Sequence, residues 1–181
     1  MKFKRTILLA GFVIVAVAGC GKYAAKTELS DGYIIPLVKK IQPAVVTIAA
    51  YDADRNVTNL GSGFFVDKKG HLITNYHVLD GAYAADVKTY DGLKHPIELV
   101  VAENKLSDLI KVQVKMPEAP IHWVAVSETE PSVVERIMVV GSPMGLEQTV
   151  SEVIVSAVRE LPVVGKVFQL SAPISPGSSG S

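Results

Sequence analysis

The sequence predicts an all-β protein with about six short strands before an internal boundary and roughly three after it. Short runs rich in valine, isoleucine and aromatic residues recur along most of the chain. Turn-forming residues lie between many of these runs, as in Asp67-Lys68-Lys69-Gly70 and Asp91-Gly92. The chain has 181 residues, of which 49% are hydrophobic, so it has ample material for a buried core. Short strands separated by frequent turns are typical of a sandwich or a barrel.

The first segment has the anatomy of an export signal. Lys2, Lys4 and Arg5 precede an apolar stretch of 12 residues, Ile7 to Ala18, which is too short to span a bilayer comfortably as a helix. We therefore predict a signal peptide over residues 1–19. Its removal leaves 15 basic and 18 acidic residues, a net charge of −3 with no basic block. This charge pattern argues against nucleic acid as a partner and favours a soluble partner.

Cys20 is the only cysteine of the chain and follows Val17-Ala18-Gly19. This sequence resembles the lipobox of bacterial lipoproteins, in which the cysteine is acylated and becomes the new N-terminus. We therefore predict lipidation at Cys20 and a membrane-anchored lipoprotein in the cell envelope, periplasmic or otherwise extracytoplasmic. The alternative is an ordinary cleaved signal followed by an incidental cysteine.

The segments that follow are predicted from composition and periodicity. Residues 20–32 are mostly small and polar, which indicates a tether. Apolar residues at helical spacing predict a short helix over Tyr33–Ile41, before Pro43. Two prolines make Met116–Pro120 the best internal boundary. The expected strands are Ala44–Tyr51, Gly63–Val66, His71–Thr74, Asp86–Tyr90, Ile97–Ala102, Leu109–Val114, Ile137–Val140, Thr149–Val158 and Val167–Leu170.

Three residues have the types that acyl transfer at neutral pH needs, namely a nucleophile, a base and a group that orients the base. His77 lies where a strand gives way to a turn, Asp108 precedes an apolar strand, and Ser179 lies in a glycine-containing stretch. The order His, Asp, Ser is the order of chymotrypsin. Taken singly, each has an ordinary explanation: a satisfied histidine, a turn aspartate, and a flexible linker or expression scar.

Other candidate sites are weaker. His71, His95 and His122 have no carboxylate or cysteine at metal-ligand spacing, so we interpret them as structural and expect no metal. Gly61-Ser62-Gly63 lacks the Gly-Lys-Ser/Thr that completes a phosphate loop, which argues against nucleotide binding.

Four blocks in the right order resemble those of the HtrA/Deg proteases, and the resemblance extends over roughly Tyr33 to Ser181. The blocks are the histidine block Gly61-Ser62-Gly63-Phe64-Phe65-Val66-Asp67-Lys68-Lys69-Gly70-His71-Leu72-Ile73-Thr74-Asn75-Tyr76-His77-Val78, the aspartate block Ser107-Asp108-Leu109-Ile110-Lys111-Val112, the loop Val140-Gly141-Ser142-Pro143-Met144-Gly145-Leu146 with Gln148-Thr149-Val150-Ser151, and the serine block Ala172-Pro173-Ile174-Ser175-Pro176-Gly177-Ser178-Ser179-Gly180-Ser181.

The resemblance implies a trypsin-like double β-barrel with the triad between the barrels and no metal or organic cofactor. His77 is then the general base, Asp108 orients it, and Ser179 is the nucleophile of a serine endopeptidase acting on unfolded or misfolded envelope proteins. The Gly177 and Ser179 amides form the oxyanion hole. The domain bounds become 33–115 for the first barrel with its helix, 116–124 for a linker and 125–181 for the second barrel.

The sequence also departs from the family pattern. Ser178 replaces the usual asparagine and Ser181 the usual second glycine, and Ser181 would resist a positive φ. Because the given sequence stops after Ser181, we expect these residues to contain a complete first barrel and about half of the second. Intact triad residues then do not ensure turnover.

The alternative function is a non-catalytic, membrane-tethered peptide-binding or chaperone-like module. No residue pattern distinguishes a monomer from the trimers common in such families.

Overall fold

The computed structural model describes residues 31–116, 120–141, 149–162, 164–171 and 179–181. Within these ranges the chain is mostly β, which confirms the predicted fold class. The helices are α1 (Asp31–Ile41), followed by a 3-10 turn at Gln42–Ala44, and α2 (Tyr76–Leu79). The strands are β1 (Val45–Tyr51), β2 (Val57–Phe65), β3 (His71–Thr74), β4 (Ala84–Lys88), β5 (Lys94–Asn104), β6 (Leu109–Val114), β7 (Arg136–Gly141), β8 (Thr149–Leu161) and β9 (Gly165–Leu170).

The first six strands close into an antiparallel barrel in the order β1-β2-β3-β6-β5-β4. Alternate residues of β1 point inward, namely Val46, Ile48 and Ala50, which are all at most 1% exposed. A valine or isoleucine side chain such as that of Val46 or Ile48 contributes roughly 1.5–3 kcal/mol when it is fully buried. The core cluster is Val46, Ile48, Phe65, Leu72, Val78, Val87, Ile110, Val112 and Val114. Its members come from β1 to β4, from β6 and from α2. The helix that contains His77 and the strands next to it therefore pack against one common core.

Strand β2 begins six residues before the predicted start at Gly63. Local sequence does not indicate the first part of this strand, because asparagine and glycine are poor strand formers. The barrel nevertheless needs the glycine: a Cβ at Gly63 would lie 2.9 Å from both the Ile48 Cδ1 and the Leu72 Cδ2 atoms. A close approach between strands is a recurrent reason for glycine in a strand interior.

Two other strands of the barrel differ from the prediction by two residues or more at each end. β4 lies two residues earlier than expected, because Tyr90 and Asp91 belong to the turn that Gly92 closes with a φ of +84°. β5 is extended at both ends and includes His95, which is 8% exposed. The bounds of β1 differ from the prediction by one residue, and those of β3 and β6 match it.

The second region is a three-stranded antiparallel sheet in the order β7-β8-β9, within the part of the chain described. Its buried side chains are Val140, Val153 and Val155. Gly141, the last residue of β7, approaches β2, since a Cβ there would lie 3.5 Å from the Ser62 Oγ atom. The second sheet therefore meets the barrel beside the glycine-rich part of β2. The predicted internal boundary falls partly on residues 117–119, which lie outside the described ranges.

Candidate active site

His77 is presented by the short helix α2 directly after β3 ends. Val78, its neighbour, is 1% exposed and anchors the helix in the barrel core. Asn59 of β2 donates a side-chain hydrogen bond to the His77 carbonyl oxygen at 3.3 Å. The imidazole itself remains outside the core, with 56% of the side chain exposed. The helix is thus held by buried contacts while the ring stays accessible.

Asp108 lies in the turn between β5 and β6 and contacts His77 twice. Its Oδ2 atom is 2.7 Å from the His77 Nδ1 atom, and its Oδ1 atom accepts the His77 backbone N–H at 2.9 Å. The Asp108 carbonyl oxygen accepts the Tyr76 N–H at 3.1 Å and the Asn75 amide at 2.8 Å. These bonds hold Asp108 at a φ of +52°, a left-handed conformation that aspartate tolerates better than most residues.

The electrostatics of this pair follow from the same contacts. Partial burial raises the pKa of the Asp108 carboxyl, but the hydrogen bonds from the His77 amide and ring and the His77 charge outweigh it and hold the pKa below its ordinary value. Asp108 is therefore ionised at neutral pH. An ionised carboxylate at Nδ1 favours the imidazole tautomer that carries its proton on Nδ1, which leaves Nε2 as a proton acceptor.

Ser179 is attached to β2 through its backbone. The Ser62 N–H donates to the Ser179 carbonyl oxygen at 2.7 Å. A Cβ at Gly61 would lie 2.7 Å from both Val78 methyl groups and 3.2 Å from the same Ser179 carbonyl oxygen. Gly61 therefore packs against two separate segments, which are the helix that carries His77 and the backbone of Ser179. The positive φ that the turn requires falls on Gly180, at +88°, and not on Ser181.

The three predicted triad residues thus come from distant parts of the chain and lie on one side of the barrel. Gly177, Ser178 and Cys20 fall outside the described residues. Our sequence reasoning missed the polar residues that hold the site together, namely Asn59, Ser62, Thr74 and Asn75. The two glycines around Ser62 were a usable signal, since glycine in a strand often marks the close approach of another backbone.

The other histidines lie elsewhere. His71 pairs with Asp67, His95 is buried, and His122 lines a cavity of about 460 Å³ with Phe65 and Met116. In the described part of the chain, no three His, Cys, Asp or Glu side chains come together as a metal site requires.

The site and fold have clear relatives. The trypsin-like peptidase domain family matches residues 61–181, which is more than half of the chain, and the protein belongs to that family. Within it, the chain is of the HtrA/Deg type, as the similar proteins and structures below indicate.

A probable periplasmic serine endoprotease, DegP-like, from Hahella chejuensis is 38% identical over 123 residues, which is 66% of this chain and 26% of that protein. Its counterpart from Halomonas elongata is 36% identical over 125 residues, 67% of this chain and 26% of the relative. The magnetosome formation protease MamE of Paramagnetospirillum magneticum is 31% identical over 140 residues, 72% of this chain and 19% of the relative. The chain therefore spans about a quarter or less of these relatives.

Two solved structures share the fold. The serine endoprotease from Yersinia pestis superposes with a TM-score of 0.67 at 28% identity, covering 79% of this chain and 50% of that one. Deg5 superposes with a TM-score of 0.68 at 27% identity, covering 81% of this chain and 76% of that one. Both likenesses agree with a six-stranded barrel followed by strands of a second sheet.

Proposed function

We propose that this chain is a serine endopeptidase domain in which Ser179 is the nucleophile, His77 the general base and Asp108 the group that orients His77. The observation that carries the proposal is the contact between the His77 Nδ1 and Asp108 Oδ2 atoms at 2.7 Å, beside a strand that also binds the Ser179 carbonyl. The endoprotease names of the relatives support the same reaction class.

In this mechanism the His77 Nε2 atom accepts the proton of the Ser179 hydroxyl as its oxygen attacks the carbonyl carbon of a peptide bond. The tetrahedral oxyanion accepts hydrogen bonds from the backbone amides of Gly177 and Ser179. The protonated His77 then gives its proton to the leaving amine, and the acyl group remains on Ser179. Water, deprotonated by His77, attacks this ester and releases the second product. Asp108 stabilises the imidazolium in both halves of the reaction.

The substrates that we propose are unfolded or misfolded proteins of the cell envelope. Among the described residues, β7 and β9 are the outer strands of the second sheet. A strand edge binds extended chain segments, which a folded protein rarely exposes. The word periplasmic in the names of the DegP-like relatives supports an envelope location. Neither helix of the described residues is long and apolar enough to cross a membrane. We propose that the protein reaches the membrane through acyl chains on Cys20.

The direct test is covalent labelling of the full chain with a fluorophosphonate, in which the serine oxygen displaces fluoride from phosphorus. We expect labelling of the wild-type chain, loss of the label in Ser179→Ala, and unchanged labelling in Ser127→Ala, which alters an exposed serine. A folded wild-type chain without Ser179-dependent label would contradict the peptidase proposal. Binding of an extended peptide that is equal in wild type and Ser179→Ala, without cleavage, would then support the peptide-binding alternative.

Anchoring is tested separately by growing expressing bacteria with labelled palmitate. Incorporation into the wild-type chain and none into Cys20→Ala is the expected result. Equal incorporation into both, or none into either, would support an ordinary cleaved signal with an incidental cysteine.

A further inference from the structure

Thr74, the last residue of β3, is one of few buried polar side chains in the described part of the molecule. It is 1% exposed, and Ser62 of β2 is fully buried. The Thr74 Oγ1 atom donates a hydrogen bond to the Ser62 carbonyl oxygen at 2.7 Å. Buried hydroxyls cost free energy unless they are paired, so this bond is a defined feature of the native state.

The strand register explains why the Ser62 carbonyl is available. β2 pairs with β3 at Phe64↔Ile73 and Phe65↔Leu72. Continuing this register would place Ser62 opposite Asn75, but β3 has ended there and the chain turns into α2. In an antiparallel ladder the N–H and C=O of one residue point to the same neighbour. The two Ser62 groups that a longer β3 would have bound are taken instead by the Ser179 carbonyl and the Thr74 hydroxyl.

The Gly180 backbone lies directly against this hydrogen bond. A Cβ at Gly180 would overlap the Ser62 carbonyl oxygen and lie 2.5 Å from the Thr74 Oγ1 atom. Ser179 is therefore held on one side by the Ser62 N–H, and the residue after it rests on the Thr74 hydroxyl. Because β3 ends at Thr74, the chain can turn into the helix that carries His77. For the same reason, the edge of β2 that a longer β3 would have covered binds the Ser179 backbone.

We infer that Thr74 is a positioning residue for the Ser179 nucleophile. Its hydroxyl orients the Ser62 peptide and forms the surface on which the Ser179–Gly180 backbone lies, although Thr74 itself does not touch substrate. The inference rests on the proposed role of Ser179. Because a misplacement of about 1 Å can reduce a reaction rate by about 100-fold, a single buried hydroxyl in this place has a measurable effect on the reaction.

The first arm of the test compares three variants of the full chain by their rate of fluorophosphonate labelling. Thr74→Val keeps the shape but removes the donor, and we expect labelling to slow by about 10- to 100-fold. Thr74→Ser keeps the hydroxyl and should remain within about 3-fold of wild type. The control is Thr58→Val on β2, an exposed threonine that also donates a hydrogen bond to a backbone carbonyl, that of Ala50 at 3.2 Å. Thr58→Val should label at the wild-type rate.

The second arm does not depend on catalysis. Amide hydrogen exchange, measured by NMR, reports the bond from the Ser62 N–H to the Ser179 carbonyl. We expect exchange at Ser62 to be at least about 10-fold faster in Thr74→Val and unchanged in Thr74→Ser and Thr58→Val, while the core amide of Val112 is equally protected in all. If the wild-type chain is not labelled, the peptidase proposal fails, and this arm still decides whether Thr74 holds the Ser179 segment.

Unchanged labelling and unchanged Ser62 exchange in a folded Thr74→Val chain would overturn the inference. Equal slowing in Thr58→Val would also overturn it, because the effect would then be one of general stability. Should Thr74→Val not fold, Thr74→Cys decides the same question, since a thiol is a weaker hydrogen-bond donor than a hydroxyl. The labelling rate and the protection of the Ser62 amide should then both fall below those of Thr74→Ser. A Thr74→Cys chain that equals Thr74→Ser in both measurements would overturn the inference.

Discussion

Two histidine–aspartate pairs in the described part of the molecule have almost the same contacts and very different surroundings. In the β2–β3 hairpin, the Asp67 Oδ2 atom is 2.6 Å from the His71 Nδ1 atom, and Asp67 Oδ1 accepts the His71 N–H at 3.3 Å. The His77–Asp108 pair has the same two contacts at 2.7 and 2.9 Å. The first pair joins residues four apart in sequence, and the second joins residues 31 apart.

The difference teaches that a histidine beside a carboxylate does not by itself make a site. Asp67 caps a tight hairpin and also binds the Lys69 amide at 2.9 Å, which is ordinary turn chemistry. Asp108 instead joins two separate turns of the barrel, and its partner His77 lies in the helix α2, which packs against Gly61 beside the Ser179 backbone. Whether such a pair can take part in catalysis therefore depends on which further chain segment lies beside it.

The strongest way to sharpen this comparison is to convert each aspartate to its amide. Asp108→Asn removes the carboxylate that sets the His77 tautomer, and we expect labelling of Ser179 to slow by about 10⁴-fold, the loss typical when a triad aspartate becomes an amide. Asp67→Asn makes the same change in the hairpin and should alter the rate by no more than about 2-fold. Equal losses in the two variants would contradict the distinction between the pairs.

The second comparison places one methyl group beside each pair. Gly61→Ala forces a Cβ to within 2.7 Å of the Val78 methyl groups, and Gly70→Ala places one 3.0 Å from the Val114 carbonyl oxygen at a φ of +86°. Both variants should lose about 1–3 kcal/mol of unfolding free energy, measured by urea denaturation. Only Gly61→Ala should also slow labelling, by about 10-fold or more, because it displaces the helix of His77 or the Ser179 carbonyl. A wild-type rate in Gly61→Ala would show that this contact does not position the site.

The smallest expected effect is a shared dependence of stability on pH. Burial raises the pKa of the Asp67 carboxyl, but its hydrogen bonds with the His71 ring and the Lys69 and His71 amides outweigh it, so both aspartates titrate below their ordinary value of 3.8. Each carboxylate therefore stabilises the fold above about pH 4, and this contribution disappears as the pH falls through the lowered folded pKa.

The measurement is the unfolding free energy of wild type, Asp67→Asn and Asp108→Asn between pH 7 and pH 2. Each variant should be up to about 1 kcal/mol less stable at pH 7, a small value because both pairs are partly exposed to water, which screens their charges. The differences should shrink as the pH falls below 3.8, through the lowered pKa of each carboxyl. A stability difference that grows on acidification would mean that the sign of these pKa shifts is wrong.

Much of the barrel was predictable because its strands follow a period of two with β-branched residues. The ends of β3 and β6 were predicted correctly, whereas β2 was recognised only from Gly63 onward. The missed part, Val57 to Ser62, contains the residues that contact α2 and Ser179. It escaped prediction because its glycines reflect the closeness of distant backbone, which no local propensity records.

By itself, the sequence determined the all-β class, the order of the strands along the chain and the identity of His77, Asp108 and Ser179 as candidates, because periodicity and motif order are local properties. Only the tertiary structure distinguished the His77–Asp108 pair from the His71–Asp67 pair, and only it revealed Thr74 beneath Gly180. The physical reason is that these distinctions depend on where β3 ends relative to β2, and the pairing of strands is decided by the packing of the whole barrel.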